Sequence, residues 1–125
     1  MSGDVLVAVG GDYRIGEPSP VVVATSHNGG RNWIAARKPP KEFRSAVAVV
    51  QLPRTEKGGR VVKAEELLIT VGPTGSDYSL DGDSWLPFST HGFHALSSYE
   101  TTVFATGADG RFAKLKYEPR TLPGK

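Results

Sequence analysis

The residues of this chain whose types could carry a reaction are a pair of carboxylates, two histidines and a scatter of basic side chains. Asp81 and Asp83 stand two apart in "SLDGDSW", residues 79–85. Glycoside hydrolysis needs two carboxyl groups facing each other across a cleft, one an acid and one a base or nucleophile. A shared turn tip cannot give that separation, and its solvation is expected to leave both groups ordinary acids. His91 and His94 in "HGFH" are metal-ligand types. Residues three apart on an extended segment point to opposite faces, so no metal site is expected there. Cysteine is absent, which excludes disulfides, thiolate nucleophiles and Cys-based zinc sites. Arg37, Lys38, Lys41 and Arg44, then Arg54, Lys57, Arg60 and Lys63, form two basic stretches that could hold phosphate or an acidic partner. Apart from Phe43 they lack interleaved aromatics, so they read as a solvated rim and give little support for nucleic acid. "VGPTGSDY" at 71–78 bears glycines but no Lys-Ser/Thr after the second, so it is not a phosphate loop. No cofactor is implied.

The elements that must position these residues are strands. At 125 residues the length is that of one domain or part of one, and 38% apolar with 22% charged residues fits a globular chain. The net charge of +2 is small and its signs are interleaved. No apolar run approaches the ~18 residues of a membrane helix. Met1-Ser2-Gly3-Asp4 runs straight into a strand-like segment, so as written the chain reads as cytoplasmic, with any export signal outside it and the natural compartment left open. The 15 glycines and 9 prolines imply many tight turns. Val5–Val9, Val21–Thr25, Ala46–Val50, Leu67–Val71 and Val103–Thr106 are short β-branched runs bounded by Gly, Pro, Asp or Ser, the pattern of strands buried on both faces. In Phe112–Tyr117, Ala113, Leu115 and Tyr117 alternate with Lys114 and Lys116, an edge strand with one wet face. "VVKAEELL" at 61–68 is the best helical candidate, and it runs directly into a strand. The class is all-β.

Internal repetition sets the architecture. "VAVGGDY" (7–13), "ITVGPTG" (69–75) and "FATGADG" (104–110) are one unit, a buried strand followed by Gly in a tight turn. Behind the first two units comes a second strand and then "SHNGGRNW" (26–33) or "SLDGDSW". Ser26 and Ser79 stand roughly 50 residues apart, a period that suggests propeller blades of four short antiparallel strands. Three blades are expected: an incomplete one at 4–40, a complete one at 41–90 with a charged insertion at 53–65, an incomplete one at 91–118, and a tail at 119–125.

"SHNGGRNW" matches the Asp-box pattern Ser-x-Asp-x-Gly-x-x-Trp, with Asn28 and Gly30 in the Asp and Gly places. "SLDGDSW" resembles it with one residue fewer. Ser26, Asn28, Gly30 and Trp33, and Ser79, Asp81, Gly82 and Trp85, are expected to be structural. The Asx oxygen takes backbone N–H groups of its own turn, Gly supplies positive φ, and the indole closes over the hairpin. With "KPPKEFRSAVAVV", "GFHALSS" and "ATGADGRFAKL", these stretches resemble the C-terminal blades of BNR-repeat propellers of the photosystem II assembly-factor and sialidase-like kind. Such proteins are mostly bacterial and often exported. The resemblance covers about residues 7–117 and implies a non-catalytic binding or scaffold module. The alternative it implies is a carbohydrate-active or oxidoreductase-labelled propeller enzyme. "YRIG" at 13–16 is similar to the sialidase Tyr/Phe-Arg-Ile-Pro segment, with Gly16 for the proline. Arg44 and Arg111 could join Arg14, but no Tyr–Glu nucleophile pair accompanies them. The loops holding Asp12, Tyr13 and Arg14, and Thr74, Ser76, Asp77 and Tyr78, are expected to face a ligand around a central opening. A relative would carry more blades ahead of Val5, so a second copy is expected to complete the ring: a homodimer of five or six blades, with edge strands exchanged or paired across the seam.

Overall fold

The computed structural model describes residues 5–14, 21–52, 65–99 and 102–116. They form ten strands in three antiparallel sheets, with one short 3-10 turn at Ala108–Gly110 and no α-helix among the described residues. The first sheet joins β1 (Leu6–Val9), β2 (Val23–Ser26) and β3 (Ile34–Ala35) in chain order. The second joins β4 (Ala46–Leu52), β5 (Glu65–Gly72), β6 (Gly75–Ser79) and β7 (Leu86–Ser89), and the third β8 (Ala95–Tyr99), β9 (Thr102–Thr106) and β10 (Phe112–Lys116). Five of the strands, β1, β2, β4, β5 and β9, fall where β-branched runs lie between turn residues. The expected insertion at 53–65, apart from Glu65, lies outside the described residues, as does the tail at 119–125. Of the helical candidate at 61–68, the described part, Glu65–Leu68, is strand: two glutamates at its start do not outweigh seven paired positions against β4.

The sheets stack face to face, and the two interfaces are the core. Val22, Val23, Leu68 and Trp85 fill the first, with Val7, Val9, Val47 and Val49 packed against them. Val50, Ile69 and Val103, then Val71, Phe93 and Ala105, fill the second. Alternation explains the split. Val47 and Val49 of β4 point to the first sheet while Ala46 and Val50 point to the third, so the middle sheet is apolar on both sides.

The pairing registers repeat. Leu6 faces Ser26 as Leu68 faces Ser79, so β1-β2-β3 corresponds to β5-β6-β7. Ala95 faces Thr106 as Ala46 faces Val71, so β8-β9-β10 corresponds to β4-β5-β6. The links between sheets repeat too. The N–H of Arg44 donates to the Gly10 carbonyl as that of Phe93 donates to the Gly72 carbonyl. Those of Ser45 and His94 donate to Val71 and Thr106 in turn. The expectation of strands buried on both faces fails for the end sheets: Leu6 and Ala8 of β1, and Thr106 of β9, are exposed. Their outward sides correspond to faces of the middle sheet that a neighbour covers, and among the described residues no sheet covers them.

Candidate functional site

One end of the stack is made by the two tryptophan hairpins. In the first, Ser26 Oγ accepts the Gly30 N–H at 2.8 Å and donates to Asn28 Oδ1 at 3.0 Å. Asn28 Oδ1 also accepts the Asn32 N–H at 2.9 Å, and Trp33 Nε1 donates to the Gly30 carbonyl at 3.0 Å. In the second, Ser79 Oγ accepts the Gly82 N–H at 2.8 Å, and Asp81 Oδ1 takes the N–H groups of Asp83 and Ser84, both at 2.9 Å. Trp85 Nε1 donates to the Gly82 carbonyl at 2.9 Å. Gly30 and Gly82 hold φ of 97° and 81°, which a side chain would strain. The shorter turn thus reproduces the serine, Asx-oxygen and indole bonds of the longer one; the Asn28 amide's bond to Asn32 Oδ1, at 2.8 Å, has no counterpart because a carboxylate has no donor. Asp81 and Asp83 are not ordinary acids. The N–H groups of Ser84 and Asp83 hold the Asp81 carboxyl below the usual range. The Arg37 N–H at 2.8 Å, then its guanidinium, lower that of Asp83.

The two rings differ in one respect. Trp85 is 5% exposed because the first sheet lies over it, whereas Trp33, in the same place on the first sheet, is 45% exposed. Their partners differ alike, Leu68 at 3% and Leu6 at 41%.

The opposite end holds the glycine turns. A Cβ on Gly92 would stand 2.2 Å from the Pro73 carbonyl oxygen, and one on Gly72 2.5 Å from that of Phe43, so links and turns touch backbone to backbone here. Arg44 was expected on a solvated basic rim. It is instead buried: Nε donates to Asp77 Oδ1 at 2.7 Å, and Nη1 to Thr74 Oγ1 and the Phe43 carbonyl, each at 3.0 Å. The pair's side chains are 7% and 4% exposed. Thr74 and Asp77 are therefore joined through Arg44. Ser76 is buried, and Tyr78 packs into the second interface with Phe88 at 6.0 Å between ring centres. Asp12, Tyr13 and Arg14 occupy an exposed tip, where the Arg14 guanidinium and N–H bind the Asp12 carboxylate and lower its pKa to about 2. His91 and His94 are exposed, and among the described residues no three metal-ligating side chains cluster. Arg111 Nη1 donates to the Gly92 carbonyl at 3.0 Å.

No family model, curated protein or solved structure matches this chain. Its own geometry therefore carries the functional reading. A feature with no signal in the sequence is an apolar groove of about 170 Å³ between the second and third sheets, lined by Ile69, Ser76, Phe88, Phe93 and Val103 among others. By register Ser76 and Val103 correspond to Val23 and Leu68, which share the buried cluster of the first interface with Trp85.

Proposed function

We propose that the three sheets are blades of a BNR-type β-propeller and that the chain is a non-catalytic binding or scaffold module. It works by displaying its glycine-turn end once a second copy completes the ring. The observation that carries this is the repeated register: three sheets share strand pairing, the same backbone hydrogen bonds join the first sheet to the second and the second to the third, and the first two carry the same tryptophan clasp, which fits a circular array of one unit. The chemistry supports binding over turnover. Among the described residues, the carboxylates whose pKa values depart from the ordinary, Asp12, Asp81 and Asp83, are lowered by donors in their own or an adjoining turn, while a general acid needs a raised one. The buried Asp77 is committed to Arg44. What the glycine-turn end offers a partner is the exposed Asp12–Tyr13–Arg14 tip, with Tyr13 at 77% exposure.

Light scattering at micromolar concentration tests the assembly, and a species of twice the 13.4 kDa chain mass is expected. A stable soluble monomer ends it. Aryl glycosides and sialosides test the rest: no hydrolysis above buffer is expected, and turnover lost on Arg14→Ala would favour an enzyme.

A further inference from the structure

Resting on that reading, we infer that the outward face of the third sheet docks on the outward face of the first sheet in a second copy, head to tail, through a seam of the kind the chain already contains twice. Both internal interfaces join unlike faces. The side of the first sheet that bears Val7 and Val23 covers the second sheet at Leu68 and Trp85. The side of the second sheet that bears Val50 and Ile69 covers the third at Val103. Among the described residues, one face of each kind remains uncovered. On the first sheet, Leu6 and Trp33 stand where Leu68 and Trp85 stand in the middle one. On the third, Tyr99, Phe104 and Phe112 stand where Val50, Ile69 and Ser76 do. Val50 is 1% exposed and Tyr99 is 73% exposed, so a position that is core one sheet earlier is here a bare aromatic ring.

The sizes of the side chains choose the occupant. Ala8 and Ala24 on the first sheet replace Thr70 and Asp77 of the middle sheet, and among the described residues the first sheet has no strand corresponding to β4. That face is therefore shallow, and deepest at the side where β4 would run. On the third sheet three substitutions go the other way, from Val50 to Tyr99, Ile69 to Phe104 and Ser76 to Phe112, beside a reduction from Leu67 to Thr102 and a Lys114 that takes the place of Tyr78 with its Nζ 5.9 Å from the Phe104 ring centre; Tyr99 lies on β8, the strand corresponding to β4. Enlarged side chains thus meet a reduced face, and the largest stands opposite the gap. Close packing requires this match, because a void or an overlap of one methylene is already felt. Two sheets of the first kind facing each other would instead set Ala8 against Ala8 and leave the gap unfilled. Each copy has one face of each kind, so two copies close with two equal seams and six sheets.

The test uses one substitution on each open face, Ala8→Arg and Tyr99→Arg, both at exposed positions that leave the tryptophan clasps and the interior seams intact. Far-ultraviolet circular dichroism and the urea midpoint of each variant confirm folding. Each variant alone is expected to run as a monomer where the unmodified chain dimerises, since both seams contain both faces. Mixed in equal amounts, the two are expected to recover dimers, because the hetero-pair retains one unmodified seam. Dimers of Tyr99→Arg alongside monomers of Ala8→Arg would overturn the head-to-tail seam while leaving the oligomeric module standing. Dimers of both variants would overturn it as well. An unmodified chain that never associates would remove both the seam and the assembly beneath it.

Discussion

Replacing each box tryptophan by alanine measures what a neighbouring sheet contributes. Both rings donate the same hydrogen bond to the glycine carbonyl of their own turn, at 2.9 and 3.0 Å, so that loss cancels in the comparison. What remains is contact with the next sheet. Trp85→Ala removes a 5% exposed ring from the first interface and is expected to cost ~3–5 kcal/mol, as truncation of a large core side chain does. Trp33 is 45% exposed; on a ring that buries at most roughly 250 Å², the difference between the two is roughly 100 Å². At ~25 cal/mol per Å² that is ~2.5 kcal/mol, so Trp33→Ala should cost about 1–2 kcal/mol in the unassociated chain. Urea unfolding followed by circular dichroism, at the lowest concentration giving a signal, reads both values from shifts of the midpoint at constant slope. Raising the protein concentration should then widen the effect of Trp33→Ala and leave that of Trp85→Ala unchanged. Equal costs at low concentration would mean that the first sheet's outward face is not a seam without its neighbour.

The turns, the buried pair and the exposed Asp12–Arg14 tip give four further outcomes. Asp81→Ala removes the acceptor of two backbone N–H groups and should cost about 1 kcal/mol given its exposure, whereas Asp81→Asn, matching Asn28 in the other hairpin, should cost less. Because folding lowers the Asp81 pKa, its contribution is complete above the unfolded value of about 4 and is lost as pH falls through the folded one; a stability–pH curve should therefore be flatter below pH ~4 in Asp81→Asn. Asp77→Leu strands the Arg44 charge in the interior and should cost ~3–5 kcal/mol by urea denaturation, while adding Arg44→Met should restore most of it. Carboxyl NMR titration of Arg14→Ala should show Asp12 returning from about 2 toward the ordinary carboxylate value, and an unmoved titration would mean Arg14 is not the cause.

The strands and clasps were legible because their causes are local. A β-branched run between Gly and Asx residues has few other conformations open to it, and a Ser-Asx-Gly-Trp turn satisfies itself within eight residues or fewer. Features depending on residues far apart in the chain were not. Arg44 looked like one more basic rim residue and Asp77 like a ligand contact, since nothing in the sequence brings positions 44 and 77 together; the register of β6 beside the link into β4 does. Val5–Val9 has the composition of a fully buried strand, yet only its Val7 and Val9 side is covered, because burial depends on a neighbouring sheet that local composition cannot supply. Asp81 and Asp83 looked solvated from their place at a tip; the turn's own N–H groups lowered the first, and Arg37, 46 positions away in the chain, lowered the second.

Electron-microscope projections of the purified, associated protein show whether its sheets close on themselves. A closed ring of six equal sheets around a central opening, with two-fold symmetry, is expected. An open arc, a filament or a compact three-sheet particle without an opening would contradict it.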